Sequence, residues 1–313
     1  MEKYYITTPI YYVNDKPHIG HAYTTILADT ISRFRALIGE KPTFLTGLDE
    51  HGLKVQQAAE KNGKAPQDHC DSMAPAFIDL WKKLNINYSD FIRTTEHRHT
   101  KIVQQILTKV HESGDIYMDE YEGWYSISEE RFITEKELDS GQFGEVKQIK
   151  EKNYFFRMSK YQATLIDKIE KDELLIQPKS RKNEVLGFLK NELSDLCISR
   201  PKSRLEWGIE LPFDDNYVTY VWFDALINYI SAIGAYSNDE HFSSLWPADV
   251  HLIGKDILTT HSVYWPTMLL SLGLPLPQRI FAHGWWLTDD QKMSKSLGNV
   301  VSPLMLILSL IHI

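Results

Sequence analysis

Cysteine is almost absent: Cys70 and Cys197 are the only thiols in 313 residues. Two isolated thiols suggest neither a disulfide framework nor a metal knuckle, and they fit a reducing compartment. No apolar run is long enough to span a bilayer. The opening MEKYYITTPIYY has no apolar core or cleavage pattern of an export signal, so a cytoplasmic protein without a membrane partner is expected. A basic coat is missing too. Lys and Arg number 34 against 42 Asp and Glu, a formal net charge of −8, which speaks against general nucleic-acid binding and leaves room for a local basic groove. Repeats and low-complexity segments are also missing. What remains is an ordinary globular composition, 43% hydrophobic and 24% charged, on a chain long enough for one or two cores.

The most informative stretch is PIYYVNDKPHIGH, Pro9 to His21. It follows a β-branched and aromatic run, Tyr4 to Thr8, that reads as a strand, and precedes a helical pattern over Ala22 to Ile38. Pro17 stands just before the helix start, where its missing N–H costs nothing. His18 and His21 are three apart and fall on one helix face, with Gly20 between them allowing a flat ligand close to the backbone. A helix N-terminus with two imidazoles suits phosphate oxygens. Taken alone, a His-x-x-His pair is more often structural.

Beyond it, residues 1–115 alternate strand and helix patterns, the signature of a parallel α/β layer. A second strand, Phe44 to Leu48, ends at Asp49, where ligands of open α/β sheets bind. A carboxylate there could hold a substrate ammonium; a helix N-cap or loop carboxylate is the plainer alternative. From Ile116 to Leu196 charge rises and short strands with glycines replace the alternation. The α/β pattern returns from Cys197: a helix from Leu226 to Ile233, a strand at His251 to Gly254, a helix from Ile257 to Leu272 across Pro266, and a last strand at Arg279 to His283. A polar, basic loop follows, Lys292-Met293-Ser294-Lys295-Ser296.

HIGH early and KMSKS late resemble the signature pair of class I aminoacyl-tRNA synthetases. Five blocks, PIYYVNDKPHIGHAYTTILAD, FLTGLDEHGLKVQQAA, YVWFDALINYI, HLIGKDILTTHSVYWP and FAHGWWLTDDQKMSKSLGN, are similar in order and spacing to the methionyl-tRNA synthetase family. The resemblance implies an α/β fold, a Rossmann-like parallel sheet split by a connective-peptide insertion. The halves would be 1–115 and 197–303, the insertion 116–196, and the apolar stretch 304–313 a non-native or truncated tail. It implies activation of methionine with ATP and Mg2+, and transfer to tRNA(Met) in an intact protein. The alternatives are a tRNA-independent adenylyltransferase and a non-catalytic fragment of the same fold.

The same resemblance assigns residues. His18, Gly20, His21, Gly254, Asp256, Lys292, Ser294 and Lys295 would bind ATP. Of these, His18, His21, Lys292 and Lys295 would be catalytic, stabilising charge on the phosphoryl oxygens and the leaving pyrophosphate. Ile10, Tyr12, Asp49, Trp222, Ala225, Leu226, Tyr229, Ile257, His261 and Trp265 would bind methionine. Taken alone, such an aromatic stripe is usually core packing, and Leu226 stands where the family often has Pro. Arg200 could help at the reacting groups, and a surface ion pair explains it nearly as well. The zinc knuckle many members carry on C-x-x-C pairs is replaced here by Ser126 and Glu129. Four N or S ligands are therefore lacking, and no structural zinc is expected.

Overall fold

A computed structural model describes residues 2–126, 131–133, 138, 145–288, 291–292 and 301–310. Its first strand, β1, is Lys3–Tyr12, followed by helix α1 (Ile19–Leu37), β2 (Lys41–Asp49), α2 (Leu53–Lys61), α3 (Pro66–Lys83), β3 (Asp90–Arg93) and α4 (His97–Glu112). Each helix has a local reason. α3 opens on Pro66 at its first position. α4 buries Ile102, Val103, Ile106, Leu107 and Val110, a stripe at helical spacing, against the sheet.

The chain then forms β4 (Ile116–Ser126), β5 (Arg131–Ile133), β6 (Val146–Phe156), β7 (Leu175–Gln177), β8 (Leu196–Cys197), β9 (Ser199–Pro201), β10 (Glu210–Leu211) and β11 (Asp214–Thr219). Strands β12 (Val250–Gly254) and β13 (Arg279–His283) follow, then the short β14 (Leu287–Thr288) and β15 (Gln291–Lys292). The main sheet has six strands in the order β3-β2-β1-β12-β13-β7, all parallel. A four-stranded antiparallel sheet, β5-β4-β6-β8, and a three-stranded one, β10-β11-β9, stand apart from it. This is an α/β fold, a parallel sheet interrupted by antiparallel structure, as the resemblance implied.

Several expectations shift. The proposed insertion limits, 116–196, do not follow sheet membership. β7 lies inside that span yet pairs with β13, Arg279 opposite Leu175, at the edge of the main sheet. Conversely, β9, β10 and β11 fall after residue 196 and are antiparallel. Three residues of strand are too few for a periodic signal, so only the pairing reveals β7. The single helix expected from Leu226 to Ile233 is two short ones, Val221–Leu226 and Asn228–Ser231. The helix expected over Ile257 to Leu272 contains a π turn, Thr260–Tyr264, before its last segment, Trp265–Leu272. Pro266 cannot donate into a regular ladder, and a wider turn just before it accommodates the missing bond. The tail enters a helix, Pro303–Leu310, in which Leu304, Met305, Leu306 and Leu308 are exposed while Ile307 packs against a core group.

Candidate active site

In the main sheet, β1 runs to β2 and β3 on one side, while β12 and β13 continue on the other. The switch point therefore lies between β1 and β12. Their pairing covers only Ile6 with Val250 and Thr7 with His251. Beyond Thr7, β1 carries Pro9, which has no N–H for a central ladder, and its register with β2 shifts between Thr7 and Ile10. The two strands part, and a crevice opens at their carboxyl ends, as expected for an open α/β sheet.

That crevice holds a cavity of about 340 Å³. It collects Ile10 and Tyr12 from β1, His18, Gly20 and His21 from the start of α1, and Asp49 from the end of β2. The helices after β11 add Trp222, Ala225, Leu226 and Tyr229; the end of β12 adds Gly254, and the segment after it Asp256, Ile257 and His261. Residues separated by most of the chain thus share one space. Trp265 does not line it. Its side chain is fully buried behind the wall, 5.8 Å from the Tyr229 ring, and its indole N–H donates to His251 Nε2 at 3.1 Å. Arg200 is also elsewhere. It is not on the cavity lining or at the surface: it is buried in β9 under the rings of Tyr125 and Tyr220, with one guanidinium nitrogen donating to the Ser199 carbonyl at 2.7 Å.

The two histidines of the early motif are arranged differently from a simple helix face. His18 is the N-cap of α1, and its Nδ1 accepts from Gly20 N at 3.1 Å. His21, at the third helical position, returns the favour: its Nδ1 accepts from His18 N at 3.2 Å. The result is a capping box made of two imidazoles, with the rings stacked 3.7 Å apart between centroids. Because each Nδ1 accepts, each ring must carry its proton on Nε2. Gly20 has no room for a side chain, since a Cβ would sit 2.9 Å from His18 Cε1. The helix start keeps fewer donors for an anion than the sequence suggested, because Gly20 N binds His18 and Ile19 N donates to Val301 O at 3.2 Å.

The late motif lies mostly outside the described residues. Ser294 and Lys295 lie outside the described residues, and of Lys292 only the backbone is described, in β15. Yet Val301, soon after KMSKS, bonds to the residue next to His18. Residue 301 thus sits beside the start of α1.

At the apolar end the polar groups satisfy one another. His261 donates from Nδ1 to the Ile257 carbonyl at 2.9 Å, so its Nε2 accepts the Tyr229 hydroxyl at 2.6 Å. Burial pushes the His261 imidazole down to about 4, only partly opposed by the Ile257 bond and by Asp256. Burial likewise raises Tyr229 well above a normal phenol. Both are neutral near pH 7. Next to them, Asp256 folds back on the backbone, so that a Cβ at Gly254 would lie 2.5 Å from its Oδ1.

Some lining residues escaped the sequence reading. Thr24 Oγ1 meets His283 Nε2 at 2.7 Å, and Tyr23 packs edge-on to His283 and Trp286. Trp285 and Trp286 are partly exposed at the cavity wall, with the Lys255 ammonium 3.6 Å from the centre of the Trp285 ring. Their only signal was membership of the block FAHGWW. Among the described residues, no group of three or more His, Cys, Asp or Glu could hold a metal ion, and no helix is long and apolar enough to cross a membrane.

A family model, tRNA synthetases class I (M), matches residues 4–142 and 140–311. The methionine–tRNA ligase of Clostridium tetani is 52% identical over 310 residues, covering 97% of this chain and 48% of that protein. That of Bacillus subtilis is 49% identical over 321 residues, again 97% and 48%. This chain thus spans about half the length of these curated relatives. Among solved structures, Mycobacterium tuberculosis methionyl-tRNA synthetase in complex with methionyl-adenylate superimposes with a TM-score of 0.93 at 42% identity, covering 99% of this chain and 62% of that one. Its apo form gives a TM-score of 0.75 at 40% identity, covering 91% and 56%. The chain belongs to the class I tRNA synthetases (M), the methionyl-tRNA synthetase family.

Proposed function

We propose that this chain carries the amino-acid activation site of a methionine–tRNA ligase. The methionine carboxylate attacks the α-phosphorus of ATP; a carboxyl O–P bond forms and the P–O bond to pyrophosphate breaks. The whole protein then transfers the methionyl group to the 3′ end of tRNA(Met), in the cytoplasm. One observation carries the reading: a single cavity at the sheet's switch point joins the stacked His18–His21 pair to an aromatic slot with Asp49 on its lining. The names of the relatives supply the amino acid.

Activation moves no proton, so the site needs donors and cations rather than an acid. The Nε2–H groups of His18 and His21 donate to phosphoryl oxygens, and Lys292, Ser294 and Lys295 bind the departing pyrophosphate. Asp256 takes the ribose hydroxyls, with Gly20 and Gly254 allowing close approach. Asp49 pairs with the methionine ammonium. Ile10, Tyr12, Trp222, Ala225, Leu226, Tyr229 and Ile257 contact the side chain, where each aromatic contact to a thioether contributes about 0.3–1.5 kcal/mol. His261 holds the Tyr229 hydroxyl, so the thioether meets a neutral surface.

Mg2+ would be held mainly through the substrate phosphates and its own waters, since Asp49 and Asp256, the carboxylates on the cavity lining, are taken by the ammonium and the ribose. When bound it neutralises phosphate charge. No structural zinc is part of this proposal: Ser126 is buried at the end of β4, and Glu129 lies outside the described residues. We read the antiparallel sheets as the connective domain, with residues 157–188 returning to the nucleotide-binding sheet.

ATP–pyrophosphate exchange with each of the twenty amino acids tests the reading. Methionine alone should support exchange; exchange with another amino acid, or with none, rejects it.

A further inference from the structure

Behind the cavity lies a group of buried polar side chains that none of the roles above uses. Asp224 is fully buried, in the helix Val221–Leu226. Its Oδ2 accepts from His51 Nδ1 at 2.6 Å, and its Oδ1 accepts from His99 Nε2, also at 2.6 Å. The far nitrogen of His99, Nδ1, meets Ser231 Oγ at 2.7 Å in the next short helix. Burial alone would raise the Asp224 carboxyl, but His51 and then His99 outweigh it and hold it below the usual range. The group is therefore a carboxylate that accepts from two imidazoles.

What these residues connect matters more than their charge. His51 lies two positions after Asp49, on the loop that ends β2. Asp224 lies between Trp222 and Ala225 and two positions before Leu226, all three on the cavity lining. His99 belongs to α4. The loop itself is held at every residue. Glu50 accepts from Arg93 Nε at 2.7 Å and from the Thr95 hydroxyl, its backbone N–H donates to Thr94 Oγ1 at 2.9 Å, and its carbonyl accepts from the Trp207 indole. Thus Glu50 fastens the loop to β3 and its following turn, and His51 fastens it to the aromatic wall.

We propose that Asp224 is a positioning residue for the amino-acid end of the cavity: accepting from His51 and His99 at once, it fixes the Asp49 loop against the helix that carries Trp222, Ala225 and Leu226. A ligand gripped by its ammonium at Asp49 and by its side chain at Trp222 needs the spacing of those two groups held constant. Among the described residues no backbone hydrogen bond joins the loop directly to that helix; Gly52 N reaches only the Trp207 carbonyl, at 3.1 Å, in the segment before β10. The Asp224 bonds join the two. This inference rests on the reading of the cavity as a methionine site.

The test is steady-state ATP–pyrophosphate exchange, with thermal unfolding of each variant as a check on folding. Wild-type exchange with methionine must be seen first; its absence defeats the site reading itself. Given exchange, D224N replaces the acceptor-only carboxylate by an amide that cannot accept from both rings. It should raise KM for methionine by about 10- to 100-fold, the loss expected for a hydrogen bond to a charged group. KM for ATP should change by less than about twofold, which uniform damage would not produce. His51 supplies a second route should D224N fail to fold. H51L removes the donor and should reproduce the methionine defect. H51N places an amide N–H near the position of Nδ1 and should recover most of it. A folded D224N with wild-type KM for methionine overturns the proposal. So does an equal rise in both KM values, or an H51N variant as impaired as H51L.

Discussion

In the proposed site, Asp49 is the residue on which methionine binding would depend most directly. It is nearly fully buried and lines the cavity beside the aromatic slot. Removing one partner of a buried charge pair costs about 2–5 kcal/mol, so D49A should lower kcat/KM for methionine in pyrophosphate exchange by that amount. Loss of the indole in W222A should act in the same direction through lost contact. Wild-type exchange in both would show that the pocket has been misassigned. His261 makes a prediction about acid. Its folded value near 4 lies below the 6.5 of a free imidazole. Between these two pH values the unfolded chain binds more protons, so stability is complete above about pH 6.5 and falls as pH drops towards 4. The share from His261 is about 3 kcal/mol. His251, also buried and lowered, adds a fall of the same sign. H261Q should therefore flatten, without abolishing, the loss of denaturant stability between pH 7 and pH 4.5. A profile as steep as wild type would mean that His261 is already protonated in the folded protein. These residue types were legible before the fold was known. The reversed case is Trp265, whose helical spacing from His261 matched the pocket pattern; only three-dimensional packing reveals that it supports Tyr229 from behind.

Single elements show how closely the sheet is fitted. Gly47 lies in β2 beside β3, and a Cβ there would stand 2.0 Å from the Ile92 carbonyl oxygen. Backbone cannot yield as a flexible side chain can. G47A should destabilise the protein by about 1–3 kcal/mol, read as a lower denaturant midpoint with an unchanged slope. An unchanged midpoint would mean that β2 and β3 can separate freely. Elements with a strong period were readable from residues alone: α4 by its buried stripe, β12 and β13 by their short apolar runs. Elements defined by pairing were not. β7 has three residues and gains its identity from β13, and the π turn at Thr260–Tyr264 arises from Pro266 downstream. Arg200 follows the same rule, since nothing in Ile198-Ser199-Arg200 announces that two tyrosines from distant segments will cover it.

Across the whole molecule, the proposed site is an assembly of distant parts. β1 lies in the middle of the sheet, between β2 and β12, and Ile19 is tied to Val301. Cutting the chain before Val301 removes that bond from the start of α1, together with the packing of Ile307. Such a variant should show a rise in KM for ATP of about fivefold, the equivalent of one hydrogen bond, with methionine binding little changed. Equal effects on both substrates would point to general loosening. The order of blocks along the sequence indicated which parts would meet; it gave no measure of how, because a capping box of two imidazoles and a carbonyl bond across the ends of the chain are facts of geometry.

The central position of β1 carries a consequence for synthesis. β1 is made well before its neighbour on one side, β12, since Val250 pairs with Ile6 across most of this chain. Until then the middle of the sheet has an open edge, and the crevice has only one bank. Completion of the crevice would thus wait for β12 rather than grow step by step, and the early strands stay unsealed until that distant companion has been made.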